Sequence, residues 1–321
     1  MIHQYLPSFA AALLLAVPAS IPMTGVPEVN DSTSSAVPYG VETIFSEGTI
    51  FDSHREGLDL PDGIRDMALG ELDGDGITDV AVANATTILI YHGLGDGILG
   101  STPVALTRGG MDDIRSLAIG DLDGDGKDDV AAAYADLNGE NPKVTLFYQS
   151  SGFSTALDVG TFPDPQQVVI GHFEGSGYND LAVACRGDPG ESIDATISLI
   201  RWPFTQAYHQ VQISVSQLTH LAYLAPGYDG SDARIDLIAG ELGGDRVLVL
   251  TQPATFSPAW SSRTVEIGGS LGGIQVVNFT GNGPRDLVII NAGEDRVEIR
   301  ANPGSGIPTS ATAIVDGLGG A

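Results

Sequence analysis

The chain has 321 residues, 42% of them apolar, enough to pack one large domain or two small ones. Its 14 basic and 41 acidic residues leave a net charge of −27, and so acidic a surface repels phosphate backbones, which excludes nucleic acid as a partner. The 42 glycines and 18 prolines punctuate short apolar runs, the texture of many short strands joined by turns rather than of helices.

Residues 1–25 read as an export leader. Positions 6–19 are apolar and rich in Ala and Leu, and Val17, Pro18 and Ala19 place small residues before a cut near Ser20. The n-region departs from the usual pattern, carrying His3 but no Lys or Arg. The expected division is a signal peptide over 1–19, a Ser/Thr/Pro-rich disordered spacer over 20–38, and one β domain over 40–321. No segment beyond the leader is long and apolar enough to span a membrane. The protein is therefore expected to be secreted, periplasmic or held at the cell surface. The single cysteine, Cys185, lies in the apolar run 181–185 and reads as a small core residue. An exported chain with no intrachain disulfide must be stabilised by other means, and metal ions are a natural supplement.

Self-comparison then gives the strongest signal. Five segments align, at 67–79, 117–129, 168–180, 224–236 and 274–286. Each ends in Asp followed by an apolar run, and these aspartates (79, 129, 180, 236, 286) are 50, 51, 56 and 50 positions apart. The second repeat predicts strands at 116–120, 130–134, 144–148 and 155–159. The second of these is apolar on both faces, as in a sheet sandwiched between neighbours. Four strands per repeat at a period near 50 predict an all-β propeller of four-stranded blades.

The loop from Asp121 to Asp129, reading DLDGDGKDD and followed by Val-Ala-Ala-Ala, resembles the FG-GAP/VCBS repeats of integrin-α-like propellers. The resemblance runs over about 64–316 and is most specific in the first two repeats. It implies a structural ion that clamps neighbouring strands of a blade, not a catalytic one.

The residues themselves support a Ca2+ loop. A hard cation takes six to eight oxygens and tolerates irregular geometry. Asp121, Asp123, Asp125 and Asp129 stand at loop positions one, three, five and nine, with Lys127 offering its carbonyl at seven. The first repeat matches with Glu71, Asp73, Asp75 and Asp79, and Ile77 at seven. An EF-hand would need Glu at position twelve and flanking helices. Position twelve is Val82 or Ala132, between strands. A merely polar Asp/Gly turn would crowd four carboxylates without a counter-ion.

The other loops are weaker. The third offers His172, Glu174, Ser176 and Asp180, and imidazole is a poor calcium ligand. The fourth keeps Asp232 and Asp236 in register with Asp229 out of step, and the fifth offers Asn278, Thr280, Asn282 and Asp286. In these three, a hydrogen-bonded turn explains the residues as well as a metal does. Gly95-Asp-Gly-Ile-Leu-Gly100 matches the dinucleotide fingerprint literally, but Pro103 and a short strand follow, so a hairpin turn is expected. The six histidines have no transition-metal spacing along the chain, and the aromatic residues Trp202, Tyr208, Tyr223, Tyr228 and Trp260 are read first as blade filler.

The function expected is a Ca2+-stabilised extracellular recognition or adhesion module for a polysaccharide or a protein. Two alternatives are a polysaccharide lyase or hydrolase on the same scaffold, and a structural module of a larger surface assembly. No nucleophile motif of the Gly-x-Ser-x-Gly kind is present. Both ends carry what reads as an outer strand, at 42–53 and 311–317. The five repeats thus either close with a strand to spare or form part of a six- or seven-bladed ring, and the second arrangement is favoured because the fifth repeat has its own fourth strand.

Overall fold

The computed structural model describes residues 63–316 apart from 136–142, 162, 174–176, 188–194, 205–208, 212–222, 228–235, 241–242, 252–259, 282–284 and 304–308, with the backbone alone at 209–211, 223–227 and 236. The expected signal peptide (1–19), spacer (20–38) and strands at 42–53 lie outside the described residues.

Five four-stranded antiparallel sheets make a five-bladed propeller. The first blade holds β1 (Asp66–Gly70), β2 (Asp79–Ala83) and β3 (Ile88–Tyr91). A small hairpin of β4 (Gly93–Gly95) and β5 (Ile98–Leu99) comes before its outer strand β6 (Val104–Leu106). The second holds β7 (Ile114–Gly120), β8 (Asp129–Tyr134), β9 (Lys143–Phe147) and β10 (Ala156–Gly160), each within two residues of its predicted bounds. The third holds β11 (Pro165–Gly171), β12 (Asp180–Cys185), β13 (Thr196–Ile200) and β14 (His209–Val211). The fourth holds β15 (Tyr223–Gly227), β16 (Asp236–Gly240), β17 (Arg246–Thr251) and β18 (Ser261–Glu266). The fifth holds β19 (Leu271–Val277), β20 (Asp286–Asn291), β21 (Arg296–Arg300) and β22 (Ala313–Asp316). Strand β22 is the outer strand expected at 311–317, paired with β21. Among the described residues no helix is long and apolar enough to cross a membrane.

The sheets stack through their faces. The second strands are buried on both sides, and every residue of β8 and β12 is buried. Apolar cores join blades one and two, two and three, three and four, and four and five. Cys185 is a buried core residue between the second and third blades, its thiol 3.5 Å from the Ser198 hydroxyl. Trp260 fills the core between the third and fourth, as the filler reading expects. The innermost strands lie side by side in the order β1, β7, β11, β15, β19. No shared core joins the fifth blade to the first among the described residues.

The blade contacts explain two repeated positions. A Cβ on Gly70, at the end of β1, would fall 2.1 Å from Cγ2 of Ile119, so glycine there is what lets the next blade approach. The Leu117 amide donates to Asp66 Oδ2 (2.8 Å), and one blade on, the Val168 amide donates to Ser116 Oγ (3.3 Å). Burial pushes the Asp66 carboxyl up to about 6 against the bonds it accepts from the Leu117 and Met67 amides. Near the start of the inner strands Arg65 pairs with Asp113 of the next blade (3.0 Å), and Arg115 pairs likewise with Asp164. The dinucleotide-like segment is a hairpin, as expected. Asp96 (φ 54°) and Gly97 (φ 77°) supply the two left-handed residues of its turn.

Candidate metal centre

Each acidic loop joins the first strand of a blade to the second. In the two strong loops position two is apolar and buried, Leu72 and Leu122, and it plugs the loop into the core. Positions four and six are glycines in the left-handed region: Gly74 (φ 91°) and Gly76 (82°), Gly124 (81°) and Gly126 (85°). They let the backbone curl so that side-chain oxygens collect on one side.

The final aspartates do more than the sequence assigns them. Asp79 is fully buried. Its Oδ2 accepts from the Leu72 amide (2.7 Å) and its Oδ1 from the Gly93 amide (2.7 Å). The same pair of bonds recurs at Asp129 with Leu122 and Gln149 (2.9 and 2.8 Å). It recurs again at Asp180 with Phe173 and Trp202 (3.2 and 3.0 Å). Asp286 makes it with Thr280 and Asn302 (2.7 and 2.8 Å). In these four blades position nine is thus a clasp between the loop and the second residue after the third strand, with or without other acids nearby. The backbone amides of a clasp also orient the carboxylate for an ion.

In the second loop, carboxylate oxygens of Asp121, Asp123 and Asp129 lie within 4.8 Å of one another. Asp121 accepts from the Gly124 and Gly126 amides (2.7 and 2.9 Å), and Asp123 Oδ2 from the Ser150 hydroxyl (2.9 Å). Asp125 stays exposed outside that group, its Oδ1 accepting from the Lys127 amide (2.9 Å). No described Lys or Arg forms an ion pair with these carboxylates. Burial first, then Asp123 and Asp125, pushes Asp129 up to about 6 against its two amide donors. Burial, with Asp129 and Asp123 adding, pushes the Tyr148 phenol up to about 12. The loop is a concentration of negative charge that could hold a cation.

The first loop brings its acids together in two overlapping sets. Glu71, Asp73 and Asp75 form one; Asp73, Asp79 and His92 form the other. Asp75 Oδ1 accepts from the Ile77 amide (2.7 Å). Partial desolvation, then Asp79 and Asp75, raises the Asp73 carboxyl. Spacing along the chain does not reveal His92, because it follows β3, thirteen residues beyond Asp79. Along the chain the histidines show no metal spacing; in space this one joins the loop.

The weaker loops diverge as their residues suggest. His172 Nδ1 lies 2.8 Å from the carbonyl oxygen of Tyr178, so it is turned to the backbone. In the fifth loop the Thr280 amide and hydroxyl both donate to Asp286, a hydrogen-bonded turn. There position two, Phe279, is 54% exposed, and the clasp has slipped by one residue to Thr280. Glu174, Ser176, Asp229, Asp232 and Asn282 lie outside the described residues, as do Tyr208 and Tyr228. Trp202 stacks on Tyr178 with ring centroids 3.9 Å apart. Neighbouring loops also touch: the Glu71 amide donates to Asp128 Oδ2 (3.0 Å), and Asn179 Nδ2 to the Asp121 carbonyl (2.8 Å).

Residues 72–132 match the family model described as FG-GAP-like repeat. No curated protein matches the chain. Among solved structures it is similar to a chain of a nidogen/laminin complex, with TM-score 0.53 and 13% identity over 79% of this chain and 80% of that one. It is also similar to an Agrocybe aegerita lectin solved for its recognition of non-reducing terminal N-acetylglucosamine, with TM-score 0.50 and 15% identity over 79% and 67%. At such identities the likeness is one of fold. The chain is a five-bladed β-propeller that carries an FG-GAP-like repeat at residues 72–132.

Proposed function

We propose that the chain is an exported, Ca2+-stabilised propeller that recognises a polysaccharide or a protein outside the cell. The observation that carries this reading is the group of Asp121, Asp123 and Asp129, with oxygens within 4.8 Å of one another and no described Lys or Arg paired with them. Asp125 and the Lys127 carbonyl complete the oxygen set there, and Glu71, Asp73, Asp75, Asp79 and the Ile77 carbonyl supply it in the first loop. The ion ties the loop to the clasp and so fixes the blade edge from which a partner would be read. The apolar leader supports export, and the propellers it resembles include a sugar-recognising lectin. The test is thermal unfolding and binding to immobilised polysaccharides and matrix proteins, each in calcium and in chelator. Calcium should raise the melting temperature by several degrees, and partner capture should require it. An unchanged melting temperature would remove calcium from the proposal, and capture that is indifferent to chelator would separate recognition from the loops.

A further inference from the structure

We propose that the first loop is a mixed nitrogen–oxygen site that takes Zn2+ through Asp73, Asp79 and His92, whereas the second loop is built of oxygen alone. This rests on the reading of both loops as cation sites.

The difference arises at one position. The second residue after each third strand donates its amide to the clasp aspartate: Gly93, Gln149, Trp202 and Asn302. The side chain just before it is therefore delivered to the loop. It is His92 in the first blade, and Tyr148, Arg201 and Ala301 in the second, third and fifth. Only the first of these is an imidazole.

His92 Nδ1 is buried, in a side chain 27% exposed overall, and makes no well-aligned hydrogen bond. It lies 3.2 Å from Asp73 Oδ2 and 3.5 Å from Asp79 Oδ2. Ligands held tetrahedrally around an ion at about 2.0–2.1 Å stand about 3.3–3.4 Å apart, so the imidazole nitrogen is already close to shell spacing from each carboxylate, and the ligand atoms of the three residues lie within 4.8 Å of one another. The carboxylates are pre-set from behind. The Leu72 and Gly93 amides fix Asp79, and the Asp75 amide occupies Asp73 Oδ1 (3.1 Å), leaving Oδ2 to face the imidazole. Imidazole nitrogen suits a borderline cation and contributes little to Ca2+. A shell of one nitrogen and two carboxylate oxygens leaves a fourth position for water or a ligand atom. Asp73 belongs to both sets of the first loop, so Zn2+ there excludes Ca2+, while the second loop keeps its ion.

The test is titration of the tag-free full-length chain, stripped of metal, with ZnCl2 followed calorimetrically. One equivalent should bind, and in calcium-loaded protein Zn2+ should release one ion and no more. His92→Gln should weaken Zn2+ binding by about tenfold or more without lowering calcium stoichiometry, and Asp123→Ala should leave Zn2+ binding as it was. In the unmodified chain, long-range 1H–15N spectra should show the nitrogen resonances of one histidine shift on adding Zn2+. That readout needs no variant to fold. Zn2+ binding unchanged in His92→Gln, or no histidine shift, would overturn the proposal and leave His92 as a side chain that pairs with Asp73 and Asp79. If calcium fails to bind while Zn2+ binds through His92, the calcium reading falls and this one stands. If calcium stabilises the chain and Zn2+ ignores His92, the reverse holds.

Discussion

The second and fifth loops share a motif and differ in what they do with it. Both end in a fully buried aspartate that accepts from two backbone amides. In the second loop that aspartate is joined by Asp121 and Asp123 around a common point, over the buried plug of Leu122. In the fifth, Thr280 turns its hydroxyl onto the aspartate and Phe279 lies exposed. One repeated residue thus serves as a clasp in the four blades where its side chain is described, and the proposed role as a ligand falls only where the other acids are present.

Removing the clasp should have the largest effect. Asp286→Ala strips the acceptor from the Thr280 and Asn302 amides and from the Thr280 hydroxyl, and unsatisfied buried donors cost about 1–3 kcal/mol each. Urea unfolding should show a loss of about 3 kcal/mol or more that is the same in calcium and in chelator. Next comes the ion itself. Calcium at about a hundred times its dissociation constant should add about 2.7 kcal/mol for each occupied loop. Asp123→Ala should remove one loop's share while changing stability in chelator by less than about 1 kcal/mol, since Asp123 is not part of the clasp.

A smaller effect follows from pH. Asp129 and Asp66, both pushed up to about 6, bind a proton more readily folded than unfolded. The metal-free chain should therefore gain stability as pH falls from about 7 to 4 and lose it as pH rises through the same window, by on the order of 1–2 kcal/mol per group. Calcium would hold Asp129 ionised and should flatten its part, while Asp66→Asn should remove the part that Asp66 contributes with or without calcium. A pH series of melting curves with and without calcium separates the two. Smallest is the contact between loops. Asp128→Ala removes the acceptor of the Glu71 amide and should cost about 0.5–1 kcal/mol. A loss well above that range would mean the first two loops act as one unit.

Much of this was legible in the residues. The period of the clasp aspartates, the buried second strands and the Asp-Gly hairpin turn at 96–97 are local signals, and the strands of the second blade fall where alternation and turns put them. Spacing could not reveal the clasp, because a clasp and the proposed ligand need the same carboxylate at the same place. Nor could it find His92, which the third strand returns to the loop, or the pairing of Arg65 with Asp113 across a blade boundary. Such contacts depend on the stacking of whole sheets. The slip in the fifth loop is likewise a tertiary result: once Phe279 is not drawn into the core, Thr280 takes its place at the aspartate.

Counting bound ions decides most directly whether the acidic loops are cation sites or only clasps. Calorimetric titration of the metal-free chain with calcium should find two ions, one in the loop at 71–79 and one in the loop at 121–129, and a single ion after Asp123→Ala. A stoichiometry of zero, or two ions still bound by Asp123→Ala, would contradict it.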